Sequence, residues 1–255
     1  MVAHPRRLRP WATAERSRIV RELRALTGPD DGEALRSYLG SPVPVLGIRV
    51  PDLRSLAKAS ARRIGTRPLP QARALVKSLW EGELFEEKAI AIELLGLRPL
   101  AHDGPAWDLA ARWVDDATGW ALSDGLAAGP IAAGAAEHPE RFAELLAWTE
   151  STNLWRRRAS SYALRAWVRA GELDRPFRLL ERLLDDPERW VQRAVGTWLR
   201  ECWKKDRART ERFLRREVRR LAPVTLTVAT ERAPKGFRKE LRRESRRRPA
   251  ERRGY

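Results

Sequence analysis

Apolar residues recur along this chain at the three- and four-residue spacing of amphipathic helices. Alternating β-branched runs are missing apart from Val43 to Val50, which Pro44 interrupts. A longer period lies over this pattern. Phe85, Trp120, Trp155 and Trp190 stand 35 residues apart. Three of them open the same motif: Phe85-x-x-Lys88-Ala89-x4-Leu94, Trp155-x-x-Arg158-Ala159-x4-Leu164 and Trp190-x-x-Arg193-Ala194-x4-Leu199. Each stretch reads as one helix closed by a polar or Gly/Pro break. Pro70, Pro105, Pro139 and Pro176 recur at roughly the same interval, and proline is tolerated in a first helical turn, so they mark the starts of partner helices. Asp186-Pro187-Glu188 predicts an N-cap at Asp186 ahead of the helix that carries Trp190. Helix pairs stacked at this period make a solenoid, and neither the tetratricopeptide W-x2-L-G-x2-Y pattern nor the ankyrin T-P-L-H run occurs. The expected fold class is all-α, a HEAT-like helical-repeat solenoid with a concave basic surface.

With the aromatic position as zero and about 100° per residue, positions 3, 4, 7 and 10 share its arc while 5, 6 and 9 lie opposite. The opposite arc holds Ile90, Leu94, Leu126, Leu164, Val195 and Leu199, the expected core face. The aromatic arc holds Lys88, Arg158, Arg165, Arg193 and Arg200, a ladder of cations beside rings that suits the phosphates of a duplex. The alternative is that exposed faces of an Arg-rich chain carry Arg without any ligand in view. One repeat departs from the rule. Where the others have a cation and then Ala, the Trp120 repeat has Ser123 and Asp124. A carboxylate weakens phosphate binding, so its place among cations points to chemistry at a developing positive charge. Its structural alternatives are an inert pair with Arg158, or a cap before the irregular stretch from Gly125 to Gly129-Pro130.

Composition narrows the function classes. The chain has 255 residues, 43% hydrophobic and 33% charged, with a formal net charge of +17. No apolar run approaches the ~18 residues of a membrane span, and no apolar stretch follows the basic N-terminal residues, so neither a membrane protein nor a secretory signal is expected. Cys202 is the single cysteine and His4, His102 and His138 lie far apart, which leaves no disulfide and no zinc spacing. Serine hydrolase, zinc protease and P-loop motifs are absent. The acidic pairs Asp30-Asp31, Asp115-Asp116 and Asp185-Asp186 fall at expected loop or cap positions. From Arg200 to Tyr255 there are 21 basic and 8 acidic residues, so most of the excess charge is C-terminal. The domain expectation is one repeat domain over 1–237 and a basic, flexible tail over 238–255, either a phosphate-binding arm or a solubility tail.

The chain resembles the AlkD family of bacterial DNA glycosylases. The resemblance is carried by Tyr38-x7-Leu46-Gly47-Ile48-Arg49-Val50-Pro51, Gly119-Trp120-x3-Asp124, Asn153-Leu154-Trp155-x2-Arg158-Ala159, and Trp190-Val191-Gln192-Arg193-Ala194-x-Gly196-x2-Leu199-Arg200-Glu201. It implies a HEAT-like enzyme that hydrolyses the N-glycosidic bond of N3- and N7-alkylated, cationic purines in duplex DNA. No metal or cofactor is implied, and the damaged nucleotide stays stacked rather than flipped. On this resemblance Asp124 is the catalytic carboxylate, Trp120 the ring beside the lesion and Arg158 the backbone-binding arginine. Tyr38, Arg49 and Arg200 are further DNA-facing residues, and Lys88, Trp155 and Arg193 join them from the ladder. Thr197 stands where the family commonly has a second tryptophan, with Trp198 one residue later and about 100° away around the helix. The remaining expectations are alkylated duplex DNA as partner, no membrane, a monomer, and a cytoplasmic, nucleoid-associated location. The competing expectations are a non-catalytic nucleic-acid-binding module and a protein–protein scaffold.

Overall fold

The computed structural model describes residues 9–27, 32–65, 67–97, 100 and 103–246, and every regular element among them is helical. The chain divides into two compact units, with the boundary between His138 and Pro139. The first contains α1 (Arg9–Ala25), α2 (Gly32–Leu39), α3 (Val50–Ile64), α4 (Leu69–Trp80), α5 (Phe85–Leu95), α6 (Gly104–Asp116) and α7 (Trp120–Leu126). A π-helical turn (Ala127–Ile131) then leads into α8 (Ala132–Glu137). The second opens with a 3-10 turn (Pro139–Arg141), followed by α9 (Phe142–Trp148), α10 (Leu154–Tyr162), α11 (Arg165–Ala170) and α12 (Asp174–Arg182). It ends with α13 (Arg189–Lys205), α14 (Arg207–Glu217), α15 (Pro223–Ala229) and α16 (Lys235–Ser245).

The 35-residue aromatics each open a helix. In the first unit α5 packs against both α3 and α7; in the second α13 packs against both α10 and α15. The partner helix in the first unit is α4, which packs on α1 and α5, and in the second α12, which packs on α10 and α13. The period also extends beyond the four rings. Val50, 35 residues before Phe85, is the first residue of α3, and Thr225, 35 residues after Trp190, lies in α15. The expected core face is in the core: Ile90, Leu126, Leu164, Val195 and Leu199 are 0% exposed and Leu94 is 2% exposed. Pro70, Pro105 and Pro176 sit in the first turns of α4, α6 and α12, and Pro139 opens the 3-10 turn.

Three local expectations change. The Trp155 motif is not one helix, because α10 ends at Tyr162 and α11 begins only at Arg165 after a two-residue turn. The N-cap of α13 is Glu188; Asp186 instead accepts the Glu188 amide proton on Oδ1 at 2.8 Å, which forms the turn before the helix. The expected flexible tail begins as helix. Residues 238–245 belong to α16, because Phe237 and Leu241 are buried, the Phe237 ring lying 5.5 Å from that of Trp203. His4, His102, Asp30, Asp31 and the last nine residues of the tail lie outside the described residues.

Candidate active site and nucleic-acid interface

In the first unit the site is built where the end of α2 meets the start of α7. Gly119, the N-cap of α7, has φ +83°, and a methyl group there would lie 2.4 Å from the Gly40 carbonyl oxygen and 2.7 Å from that of Leu39. Gly40 also has a positive φ, +65°. Only glycine allows this approach. The contact carries Trp120 to Tyr38: the indole Nε1–H donates to the Tyr38 carbonyl at 2.8 Å, and the rings meet edge to face at 5.4 Å. The Tyr38 ring itself is 69% exposed. Trp120 also lines an apolar cavity of about 420 Å³ with Leu39, Phe85, Ile92 and Leu122.

Asp124 follows Trp120 by one turn of α7. It is largely withdrawn from solvent, at 9% exposure, beside the fully buried Ser123. Three residues later the helix widens into the π turn, within which Pro130 supplies no N–H. Such turns recur at functional sites. The loop leading to α3 is shaped by Glu86, whose buried carboxylate accepts the amide protons of Leu46 and Gly47 at 3.0 and 3.1 Å. This places Arg49 at the N-cap of α3, with its side chain 79% exposed and paired to Asp52 at 2.9 Å.

Lys88 points elsewhere. Its ammonium donates to the Trp80 carbonyl at the end of α4 and lies 5.2 Å from the centre of the Trp80 ring. Burial pulls its pKa below the ordinary lysine value, the Glu87 charge offsetting part of that effect.

In the second unit Asn153 caps α10, its Oδ1 accepting the Trp155 amide proton at 2.9 Å. The half-buried Trp155 ring lies 6.3 Å from that of Trp190, which is 45% exposed. Arg158 is 4% exposed, so it is a buried anchor and not an outward rung. It donates to the Trp190 carbonyl at 2.5 Å and to the Tyr162 hydroxyl at 3.1 Å, with its guanidinium 4.9 Å from the centre of the Tyr162 ring. Arg193 is exposed as expected. Arg200 is half-buried and bound to Glu231 at 2.6 Å. Desolvation pulls the Arg200 pKa down, but the hydrogen bond and charge of Glu231 more than reverse it and leave it raised. Thr197 turns its hydroxyl to the Arg193 carbonyl at 3.0 Å, while Trp198 is buried edge to face on Tyr162 at 5.5 Å. The Trp198 ring therefore lies inside the protein.

Comparison with known proteins follows this geometry. The family of DNA alkylation repair enzymes matches the sequence over residues 19–233. The chain belongs to the DNA alkylation repair enzyme family. The structure is similar to that of a predicted DNA alkylation repair enzyme from Enterococcus faecalis (TM-score 0.70, 18% identity, covering 82% of this chain and 97% of that one). It is also similar to AlkD2 from Streptococcus mutans (TM-score 0.62, 15% identity, covering 85% and 98%). No curated protein sequence matches the chain.

In this family member the sequence pattern missed a set of buried or half-buried polar residues two positions after the ring. Glu87 accepts the Leu84 amide proton at 3.3 Å and the Arg16 guanidinium at 2.8 Å. Arg157 binds Asp186 at 2.6 Å and the Ser151 carbonyl at 2.8 Å. Gln192 donates to the carbonyls of Leu183, Leu184 and Asp186, at 3.1, 2.9 and 2.9 Å. Each ties its helix to a loop or a neighbouring helix. The available signal was a polar residue at 87, 157 and 192, although Leu122 interrupts it and its identity changes from repeat to repeat. Cys202 takes no part as a nucleophile, since burial pushes its thiol up to about 12. Among the described residues no group of His, Cys, Asp and Glu could hold a metal ion, and no helix is long and apolar enough to cross a membrane.

Proposed function

We propose that this family member is a DNA glycosylase that releases N3- and N7-alkylated purines from duplex DNA as a monomer, leaving the damaged nucleotide in the stack. The observation that supports this reading most is Asp124, a carboxylate one turn beyond a pinned tryptophan and three residues before a π turn, retaining 9% exposure. Departure of a cationic purine leaves oxocarbenium character on the deoxyribose. A preorganised carboxylate stabilises that charge and orients the attacking water. The base already carries its positive charge, so it leaves without a general acid. The face of Trp120 attracts the same cation, an effect worth about 0.5–2 kcal/mol. Arg158 keeps the backbone-binding role only as the family resemblance implies it; within the second unit it is held by Trp190 and Tyr162.

The test is base release from methylated duplex DNA. Asp124→Asn is expected to lower the release rate by about 10²–10³-fold while leaving duplex affinity intact. If the unmodified protein binds duplex and releases no base, the reading fails. A non-catalytic DNA-binding role is the second reading, and the positions of Thr197 and Trp198 favour it. It requires that no base be released and that duplex binding keep a steep salt dependence.

A further inference from the structure

Helix α16 sorts its residues by charge around its axis. At about 100° per residue, Phe237 and Leu241 fall within about 40° of each other, with Glu240 and Glu244 on one flank. Lys235, Arg238, Lys239, Arg242, Arg243 and Arg246 fill the opposite arc of about 140°. The apolar edge is used inside the protein: Leu241 is 0% exposed, and Phe237 packs on Trp203 with the Arg215 guanidinium 4.9 Å from its ring centre. The acidic flank is used there as well. Glu240 accepts both terminal nitrogens of Arg215 in α14, the second at 3.2 Å, and Glu244 adds its charge to the same guanidinium.

The cationic arc is left over. Among the described residues none of its six side chains makes an ion pair or a side-chain hydrogen bond. Several arginines elsewhere in this unit are matched: Arg157 with Asp186, Arg175 with Glu172, Arg200 with Glu231, Arg209 with Asp174, and Arg220 with Asp185. Pairing leaves the net basic excess unchanged, and six of its cations share one face of α16. A bilayer-binding helix needs an apolar face to insert, and α16 has spent its own on the core. What remains is a rod of charge about 16 Å long, at about 1.5 Å per residue, suited to a dense line of fixed anions.

We propose that the outward face of α16 is a second docking surface, specific for the phosphate backbone of duplex DNA and blind to sequence, apart from the residues assigned to the lesion. The proposal rests on the reading that DNA is the partner. It adds a hold on undamaged DNA that does not depend on Asp124 or Trp120.

The experiment measures binding of the full chain to an undamaged, fluorescently labelled duplex between about 50 and about 200 mM NaCl. The Lys235→Gln, Lys239→Gln, Arg242→Gln, Arg246→Gln variant is expected to reduce the slope of log affinity against log salt by about 3–4 and to weaken binding about ten- to hundredfold. A charge-keeping variant that exchanges Lys for Arg and Arg for Lys at the same four positions should bind like the unmodified chain. An unchanged slope and affinity in the glutamine variant would overturn the proposal. Loss of binding to phosphatidylserine vesicles with duplex binding intact would overturn it in favour of a membrane. Base release from methylated duplex at saturating protein is read separately. Its absence in the unmodified chain counts against the glycosylase reading and leaves the slope comparison standing.

Discussion

Lys88, Arg158 and Arg193 hold the same place in the 35-residue pattern, yet only Arg193 faces solvent. The difference is set by main-chain carbonyls. Lys88 is drawn to the Trp80 carbonyl at a helix end, where the last turn leaves acceptors without partners, and Arg158 is drawn to that of Trp190. No one-dimensional pattern records where such an acceptor comes to lie, and this is why the cation ladder was legible as a period but not as a surface. Asp124 was legible because it broke the rule shared by its repeats. Arg158→Lys tests the anchor. A lysine cannot span the Trp190 carbonyl and the Tyr162 hydroxyl with one planar group, so stability should fall by about 1–3 kcal/mol. A thermal melt unchanged by this substitution would show that the guanidinium geometry is not required.

At the scale of elements, the rings announced where helices begin, and the core faces could be read from the wheel. The sequence did not disclose the break at Ala163 and Leu164, and it marked the stretch from Gly125 to Pro130 as irregular without disclosing a widened helical turn at Ala127–Ile131. Gly129 in that turn and Gly125 just before it lie close to Ile92 of α5, a contact made across the fold. Gly119 belongs to the legible part as a motif residue, and the structure supplies its reason. Gly119→Ala would drive a methyl into the Gly40 carbonyl at a left-handed backbone position, at a cost of about 2–4 kcal/mol, and would shift the start of α7. The expected readouts are a lowered melting temperature and a change in Trp120 fluorescence, since the indole would lose its hold on the Tyr38 carbonyl. Gly196 fills a similar need, its missing Cβ leaving room for the Thr225 carbonyl 2.8 Å away.

For the molecule as a whole, charge dominates the response to conditions. Hydrogen bonds from Arg200 and Arg215 hold the Glu231 and Glu240 carboxyls below the usual carboxylate range. A lowered value in the folded state means that these groups support folding above the ordinary value near 4.5 and withdraw that support as pH falls through their own lower values. Acidification also carries the net charge beyond +17, adding self-repulsion. Acid unfolding, followed by circular dichroism, should therefore begin below about pH 4.5, and added salt should move its midpoint to lower pH by screening the repulsion. A midpoint indifferent to salt would show that repulsion is not the driving term.

The sealed environment of Cys202 has a practical consequence. Because its sulfur stays protonated at ordinary pH, the native protein offers a silent background to maleimide chemistry. A cysteine introduced at the exposed end of α16 would be the one site to take a dye, and its emission would report when that end of the chain touches a helix of nucleic acid.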